Sequence, residues 1–214
     1  MTTAQNPAPR PAARHPLKYV LWAVMGAMTI SVIIYSEVPL LHHAQQMIPS
    51  LLKIPWILGV HIAAGIVALL TGPFQFSSRL RRHNIRLHRA LGRTYVIAVC
   101  IGAPLAFALA LNQREPGSIF FIYASIVQGA TWLLVTLIAF LTARNRHIPQ
   151  HREWFIRSYA LTFTFVGLRV FRPFAMWKHL GRTGLPMMML FMVLLSILVS
   201  DIAVNWREIT SRRA

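Results

Sequence analysis

Long apolar runs recur along the whole chain and are separated by short polar connections. Each run is about 20 residues long, which lets one helix cross about 30 Å of hydrocarbon. The pattern predicts six transmembrane helices at Leu17–Ser36, Ile54–Phe76, Ala90–Leu111, Ser118–Thr142, Trp154–Phe171 and Leu185–Trp206. The predicted fold class is therefore all-α, an integral membrane bundle of six transmembrane helices.

The remaining residues form two short tails around a single membrane domain. Residues 1–16 are rich in Pro and Ala and predict a disordered cytoplasmic tail. Residues 17–206 form the six-helix domain, and residues 207–214 form a short basic cytoplasmic tail. Only 13% of the residues are charged, against about 25% in soluble domains, which agrees with a membrane protein.

Basic residues are concentrated in alternate connections. The larger set is Arg10, Arg14, Lys18, Arg79, Arg81, Arg82, Arg86, Arg89, Arg93, Arg144, Arg146, Arg152, Arg207, Arg212 and Arg213. The smaller set is Lys53, Arg114, Arg172, Lys178 and Arg182. The positive-inside rule places the larger set in the cytoplasm, so both termini are predicted there, in a cell inner membrane. Orientation explains most of the net charge of +17, so nucleic acid is not an expected partner.

Polar and small residues recur at helical spacing on the predicted helices, so that they share one face of each helix. The polar positions expected in the membrane core are Gln75, Tyr95, Gln128, Arg169, Asp201 and Asn205. Small residues permit close helix packing, and polar residues hydrogen-bond between helices. Charged residues in a membrane are costly, and Arg157 and Asp201 lie at similar predicted depth. We therefore expect an Arg157–Asp201 ion pair.

Three histidines are candidate ligands. His88 and His151 each lie just before a predicted membrane helix on the cytoplasmic side, and each is followed by an arginine. A b-type haem takes two axial nitrogens, and arginine suits the carboxylate geometry of its propionates. The pair therefore predicts a haem b site, with Arg89, Arg152 and Arg157 as anion contacts. The alternative is two interfacial histidines beside basic anchors.

His61 lies deepest of the titratable groups and is a further candidate cofactor contact, although a hydrogen-bonded core histidine is the commoner outcome. The single cysteine, Cys100, excludes an intrachain disulfide. Hydrolase, phosphate-loop and zinc-protease motifs are absent. No metal site is expected beyond the iron of a haem.

Five arginines between residues 79 and 93 recur every three or four positions. If the segment is helical, Arg79, Arg82, Arg86, Arg89 and Arg93 form one basic stripe on a single interfacial helix. Such a stripe is suited to anionic lipid headgroups. The alternative is a role in setting orientation alone.

Several blocks resemble a bacterial family of multi-pass membrane proteins, domain of unknown function 2306. They are Gly72-Pro73-Phe74-Gln75-Phe76, His88-Arg89-Ala90-Leu91-Gly92-Arg93-Thr94-Tyr95, His151-Arg152-Glu153-Trp154-Phe155-Ile156-Arg157-Ser158 and Leu168-Arg169, with His61 and Gly65 before them. The resemblance covers roughly His61 to Asn205. It implies a multi-helix membrane protein, and it implies no activity.

Three functions follow as expectations. The first is a b-type haem- or quinone-linked electron-transfer protein, with arginines contacting propionate or quinone oxygens. The second is a transporter of a small solute or of protons, whose path would pass His61, Gln128, Arg157, Arg169 and Asp201. The third is a non-catalytic assembly or lipid-contact protein. Protein partners are not specified by the sequence.

Overall fold

The chain folds into a bundle of helices. The computed structural model describes residues 16–39, 55–112, 118–172 and 179–210. These residues form helices and short turns, with no strand among them. The helices are α1 (Pro16–Val32, continued by a π-helical turn at Ile33–Glu37), α2 (Pro55–Gln75), α3 (Ser78–His83), α4 (Ile85–Leu111), α5 (Ser118–Arg144), α6 (Ile148–Phe171) and α7 (Gly184–Thr210). Residues 1–15 and 211–214 of the predicted tails, and Lys53, Arg114 and Lys178, lie outside the described residues.

Four of the described helices are long and apolar enough to cross a membrane. They are α2, α4, α5 and α7. The shorter apolar stretch Trp22–Glu37 covers most of α1. α6 is long but more polar, and it packs against α1, α2, α5 and α7. Ser158, Thr162 and Thr164 of α6 are buried and hydrogen-bond to α4 or α5, so part of its polar surface lies inside the bundle.

The six long helices alternate in direction. The His61 side chain contacts the Gly102 carbonyl while Gln75 contacts the His88 carbonyl, so α2 and α4 are antiparallel. Side-chain contacts show the same relation for α4 with α5, α5 with α6 and α6 with α7. Contacts at its two ends show that α1 runs parallel to α6. One end, called the basic end below, therefore collects the starts of α1, α4 and α6 and the ends of α2, α5 and α7.

Two predicted helix starts were wrong by five or six residues. α4 begins at Ile85 rather than Ala90, and α6 begins at Ile148 rather than Trp154. Asn84 accounts for the first, because its side chain accepts a hydrogen bond from the Leu87 amide at 2.9 Å and caps the helix. The first turns of both helices are polar, so the hydropathy pattern misses them. His88 and His151 consequently lie within helices rather than before them.

The basic stripe predicted on one helix is also wrong. α3 ends at His83, and Asn84 has an extended backbone with φ −143° and ψ 79°. Arg79 and Arg82 lie on α3, whereas Arg86, Arg89 and Arg93 lie on α4. The arginines therefore belong to two helices, and they face different surroundings.

Close packing explains one of the glycines on α2, Gly72, whereas a Cβ atom at Gly65 would meet no neighbour within 4 Å. A Cβ atom at Gly72 would overlap the ring of Tyr159 on α6, and Ala68 one turn earlier is fully buried. The Tyr159 hydroxyl donates a hydrogen bond to the Leu69 carbonyl at 3.2 Å. Small residues on α2 thus admit an aromatic side chain of α6, as helix packing in membranes requires.

Candidate ligand-binding site

A cavity of about 990 Å³ lies at the basic end, between α4, α5 and α6. Its apolar wall includes Phe76, Val96, Phe140, Phe155 and Ile156. Its polar lining includes Gln75, His88, Tyr95, Thr136 and His151. The volume is at the upper end of the range for small-molecule and cofactor sites, which are typically apolar with a few convergent polar groups.

The helix starts bring the two candidate histidines to this one cavity. His88 is on the first turn of α4 and His151 is on the first turn of α6, and both line the cavity. Both helices begin at the basic end. Residues 63 positions apart in the sequence therefore become neighbours of one space.

His151 has a defined tautomer. Its Nδ1 lies 2.8 Å from the Ala139 carbonyl oxygen on α5. A carbonyl oxygen only accepts, so Nδ1 carries the proton and donates it. In the neutral ring, Nε2 then holds the free lone pair, which is the arrangement typical of histidines that ligate metals.

His88 carries an unsatisfied polar atom. Its Nδ1 is buried and has no hydrogen-bond partner in the described part of the chain. Its backbone carbonyl accepts from the Gln75 side-chain amide at 3.2 Å, which ties α4 to the end of α2. Buried polar atoms without partners are rare because each costs about 1–3 kcal/mol. His88 is therefore a cavity-lining residue whose ring is only partly satisfied, although this nitrogen is itself shielded from solvent.

The cavity is strongly basic. Six arginines line it, namely Arg81, Arg89, Arg93, Arg144, Arg146 and Arg152, and none of its lining residues is acidic. Arg89 and Arg93 are one turn apart on α4, while Arg144, Arg146 and Arg152 flank the connection from α5 to α6. The guanidinium groups therefore lie on two sides of the space. Such a distribution suits a ligand with anionic groups at its periphery.

The floor of the cavity is a buried hydrogen-bond network among α4, α5 and α6. The Tyr95 hydroxyl lies 2.8 Å from the Ser158 hydroxyl and 2.7 Å from the Thr162 hydroxyl. The indole N–H of Trp132 donates to Thr162 Oγ1 at 2.8 Å, and Thr136 lies 2.7 Å from Ser158. All five side chains are at most 1% exposed. Only Tyr95 and Thr136 also line the cavity.

His61 and Gln128 lie away from the cavity, and each has a structural partner. His61 Nδ1 is 2.9 Å from the Gly102 carbonyl, so the ring donates to α4 and links it to α2. The Gln128 side-chain amide donates to Thr164 Oγ1 at 2.8 Å, inside the α5–α6 interface. Neither residue lines the cavity.

The other predicted polar and charged positions, Arg157, Arg169, Asp201 and Asn205, also lie outside the cavity lining. Arg157 Nε is 2.8 Å from Asp201 Oδ1, which confirms the expected ion pair between α6 and α7 and places Arg157 outside the cavity lining. Arg169 Nε is 2.9 Å from Glu37 Oε1, at the other end of the bundle. Asn205 is exposed near the end of α7.

Sequence reasoning missed some members of the site and one partner. Arg81, Arg93, Arg144 and Arg146 were assigned to lipid contact or orientation, and they line the cavity. Glu37, the partner of Arg169, was not selected. It is one of only five acidic residues in the chain. Because arginines are many and acidic residues few, Glu37 could have been selected as a partner for a membrane arginine.

The described residues contain no group of three or more His, Cys, Asp or Glu side chains able to hold a metal ion. No curated protein and no solved structure matches the chain. A family model described as a predicted membrane protein, DUF2306, matches residues 58–205 and thus α2 through most of α7. Because this match covers more than half of the chain, the protein belongs to the DUF2306 family of membrane proteins, for which no function is established.

Proposed function

We propose that the cavity at the basic end binds a b-type haem and that the protein transfers electrons within the membrane. The observation that carries the proposal is the pair of histidines on one basic cavity. His151 is held by Ala139 through Nδ1, which leaves Nε2 for a ligand, and His88 lines the same cavity. His88 and His151 would hold the iron through imidazole nitrogens, and histidine is a common iron ligand in haem proteins.

The remaining lining fits the same group. The aromatic and aliphatic wall suits a porphyrin face, and the two arginine groups suit two propionates. When bound, a haem supplies a one-electron couple. The chain's own residues orient the ligand through His88 and His151, neutralise its carboxylates through arginine, and keep water from its buried side through Phe155 and Val96.

A haem titration tests this proposal. The purified apoprotein in mild detergent is titrated with haemin, and absorption spectra are taken in the oxidised and reduced states. We expect saturable uptake of one haem per chain, with the sharp α and β bands of an iron with two imidazole ligands. Unsaturable uptake or a spectrum identical to that of free haemin in detergent contradicts the proposal. If the protein binds a quinone and takes up no haem, the ligand of the cavity is the quinone, whose oxygens the arginines also suit.

We also propose that α1, α2, α4, α5, α6 and α7 all span an inner membrane, with both termini in the cytoplasm. The alternating helix directions support this arrangement, as does the excess of arginine at the basic end. Fusions at the C-terminus report the orientation. Fluorescence from a fused cytoplasmic reporter is expected, and activity of a fused periplasmic phosphatase would contradict it.

Anionic lipid is proposed as a second partner of the basic end. Arg79, Arg82 and Arg86 are exposed and do not line the cavity, so they are available to lipid headgroups. Each basic residue near an anionic surface contributes about 1 kcal/mol of attraction. Replacing all three by Gln is expected to reduce co-purified anionic phospholipid, measured by mass spectrometry, and to leave haem uptake unchanged. Equal lipid retention would show that these arginines serve orientation alone.

A further inference from the structure

The connection between α5 and α6 has an unusual backbone. Arg146 has φ +63°, and it is the one non-glycine residue with positive φ in the described part of the chain. The His147 amide donates to the Thr142 carbonyl at 2.9 Å, and the Arg146 amide donates to the Ala143 carbonyl at 3.1 Å. This pair of bonds is the Schellman motif, with Arg146 at the left-handed position that follows the helix.

Glycine is the usual residue at that position, because a Cβ atom in the left-handed conformation crowds the following carbonyl. Asparagine is the usual substitute, and Asn145 stands one position too early to serve. The turn would therefore form more favourably with another residue at position 146. A strained residue that the surrounding structure holds in place is a signal of function.

The side chain supplies a reason for the strain. Arg146 lines the cavity, and only four residues separate it from His151. The hydrogen bond from His151 to Ala139 fixes the start of α6 against α5, and the Schellman motif closes the turn between them. These hydrogen bonds thus fix the backbone that carries the Arg146 guanidinium relative to the His151 ring.

We infer that Arg146 is a specificity-determining residue that recognises a carboxylate of the ligand held by His88 and His151. This inference rests on the proposed haem function. A guanidinium presents a planar fork of donors that matches a carboxylate, and Arg89 and Arg93 face the cavity from the other side. Arg146 therefore contributes to distinguishing a porphyrin with free propionates from one without them.

Binding constants for two ligands test the inference. Haemin and haemin dimethyl ester, whose propionates are esterified, are titrated into the wild type and the Arg146→Gly, Arg146→Asn and Arg146→Lys variants. Arg146→Gly and Arg146→Asn are expected to weaken haemin binding roughly tenfold, the low end for charge-assisted hydrogen bonds because Arg146 is exposed. Binding of the ester is expected to be unchanged. Arg146→Lys keeps the charge without the fork and is expected to fall between these values.

Arg86→Asn is the matched control, because Arg86 is exposed near the cavity and does not line it. It is expected to bind both ligands as the wild type does. Equal loss of affinity for haemin and its ester in the Arg146 variants would overturn carboxylate recognition. A wild type that binds neither ligand would overturn the proposed function itself, and the assignment of Arg146 with it.

Melting temperatures of the apoproteins test the strain separately from the ligand. Arg146→Gly removes the Cβ atom from the left-handed position and is expected to raise the Tm by about 2–4 °C. Arg146→Lys keeps the strain and is expected to melt with the wild type. A lower Tm for Arg146→Gly would show that the arginine stabilises the turn, and the inference would fail whatever the binding constants are.

Discussion

The His151→Ala variant is expected to lose more than about 100-fold in affinity for haem. Removing a partner that only orients a metal ligand commonly costs 10- to 100-fold in affinity, and here the ligand itself is removed. The same replacement also removes the hydrogen bond from His151 to the Ala139 carbonyl, which is one of the contacts that hold the start of α6 against α5. Both effects act on the same site and in the same direction.

Three further histidine variants, measured together with His151→Ala, identify which histidines bind the haem iron. His88→Ala is expected to lose comparable affinity, and its residual complex should show the broadened bands of an iron with one axial imidazole. His83→Ala is the matched control, since His83 is exposed on α3 and does not line the cavity. His61→Ala is expected to bind haem and to melt at a lower temperature, because its hydrogen bond to Gly102 joins α2 to α4.

The pattern across the variants decides the assignment. Loss of the haem spectrum in His61→Ala with retention in His88→Ala would contradict the proposed ligand pair. Wild-type spectra in all four variants would show that the haem is bound elsewhere on the chain.

The Thr162→Val variant is expected to be the most destabilising single change that conserves side-chain volume in the membrane interior. Thr162 donates to the Ser158 carbonyl at 3.0 Å, so its oxygen must accept both neighbouring donors. Those donors are the Tyr95 hydroxyl at 2.7 Å and the Trp132 indole N–H at 2.8 Å. Valine has nearly the same shape and no oxygen, so both donors lose this acceptor together.

The expected cost is about 1–3 kcal/mol. A buried donor without a partner costs about 1–3 kcal/mol in soluble proteins, but single hydrogen bonds between membrane helices average about 0.6 kcal/mol. Tyr95 also retains Ser158 at 2.8 Å, which limits its loss. Thermal unfolding in detergent, followed by the loss of helical circular dichroism, measures the change.

Thr71→Val is the control for this prediction. The Thr71 hydroxyl bonds only to the Val67 carbonyl of its own helix, at 2.7 Å, on a partly exposed face. Its replacement by valine removes one hydroxyl group, as at Thr162, but leaves no donor without an acceptor. The free energy of unfolding is therefore expected to change by less than about 0.5 kcal/mol. Equal effects at both positions would show that the network contributes packing alone.

The chain alone was sufficient to predict much of the architecture. The length of an apolar run is set by the order of residues along the chain, so the four most apolar helices were located closely, with the largest difference at the start of α4, which is Ile85 rather than Ala90. The Arg157–Asp201 pair also followed from sequence, because two opposite charges at one depth of a membrane have few other partners. Of the polar positions predicted in the membrane core, Tyr95 and Gln128 are buried and hydrogen-bond to a neighbouring helix.

What the chain alone left open were the relations between helices. Run length could not locate the first turns of α4 and α6, because basic and polar residues interrupt the apolar pattern there, namely Arg86, His88 and Arg89 on α4 and Gln150, His151 and Arg152 on α6. Spacing could not show that Arg146 and Arg93 share a cavity with His88 and His151, or that His61 lies away from it.

There is a physical reason why some features could be predicted from the sequence and others only from the tertiary structure. Hydropathy, charge bias and helical periodicity act along the chain, so the helices, the basic end and the polar face of each helix are readable from residue order. Cavities and hydrogen-bond networks arise from side chains on three or more helices, whose rotations and heights are set by packing. The gathering of His88, His151 and six arginines around one space was therefore decided by the tertiary structure.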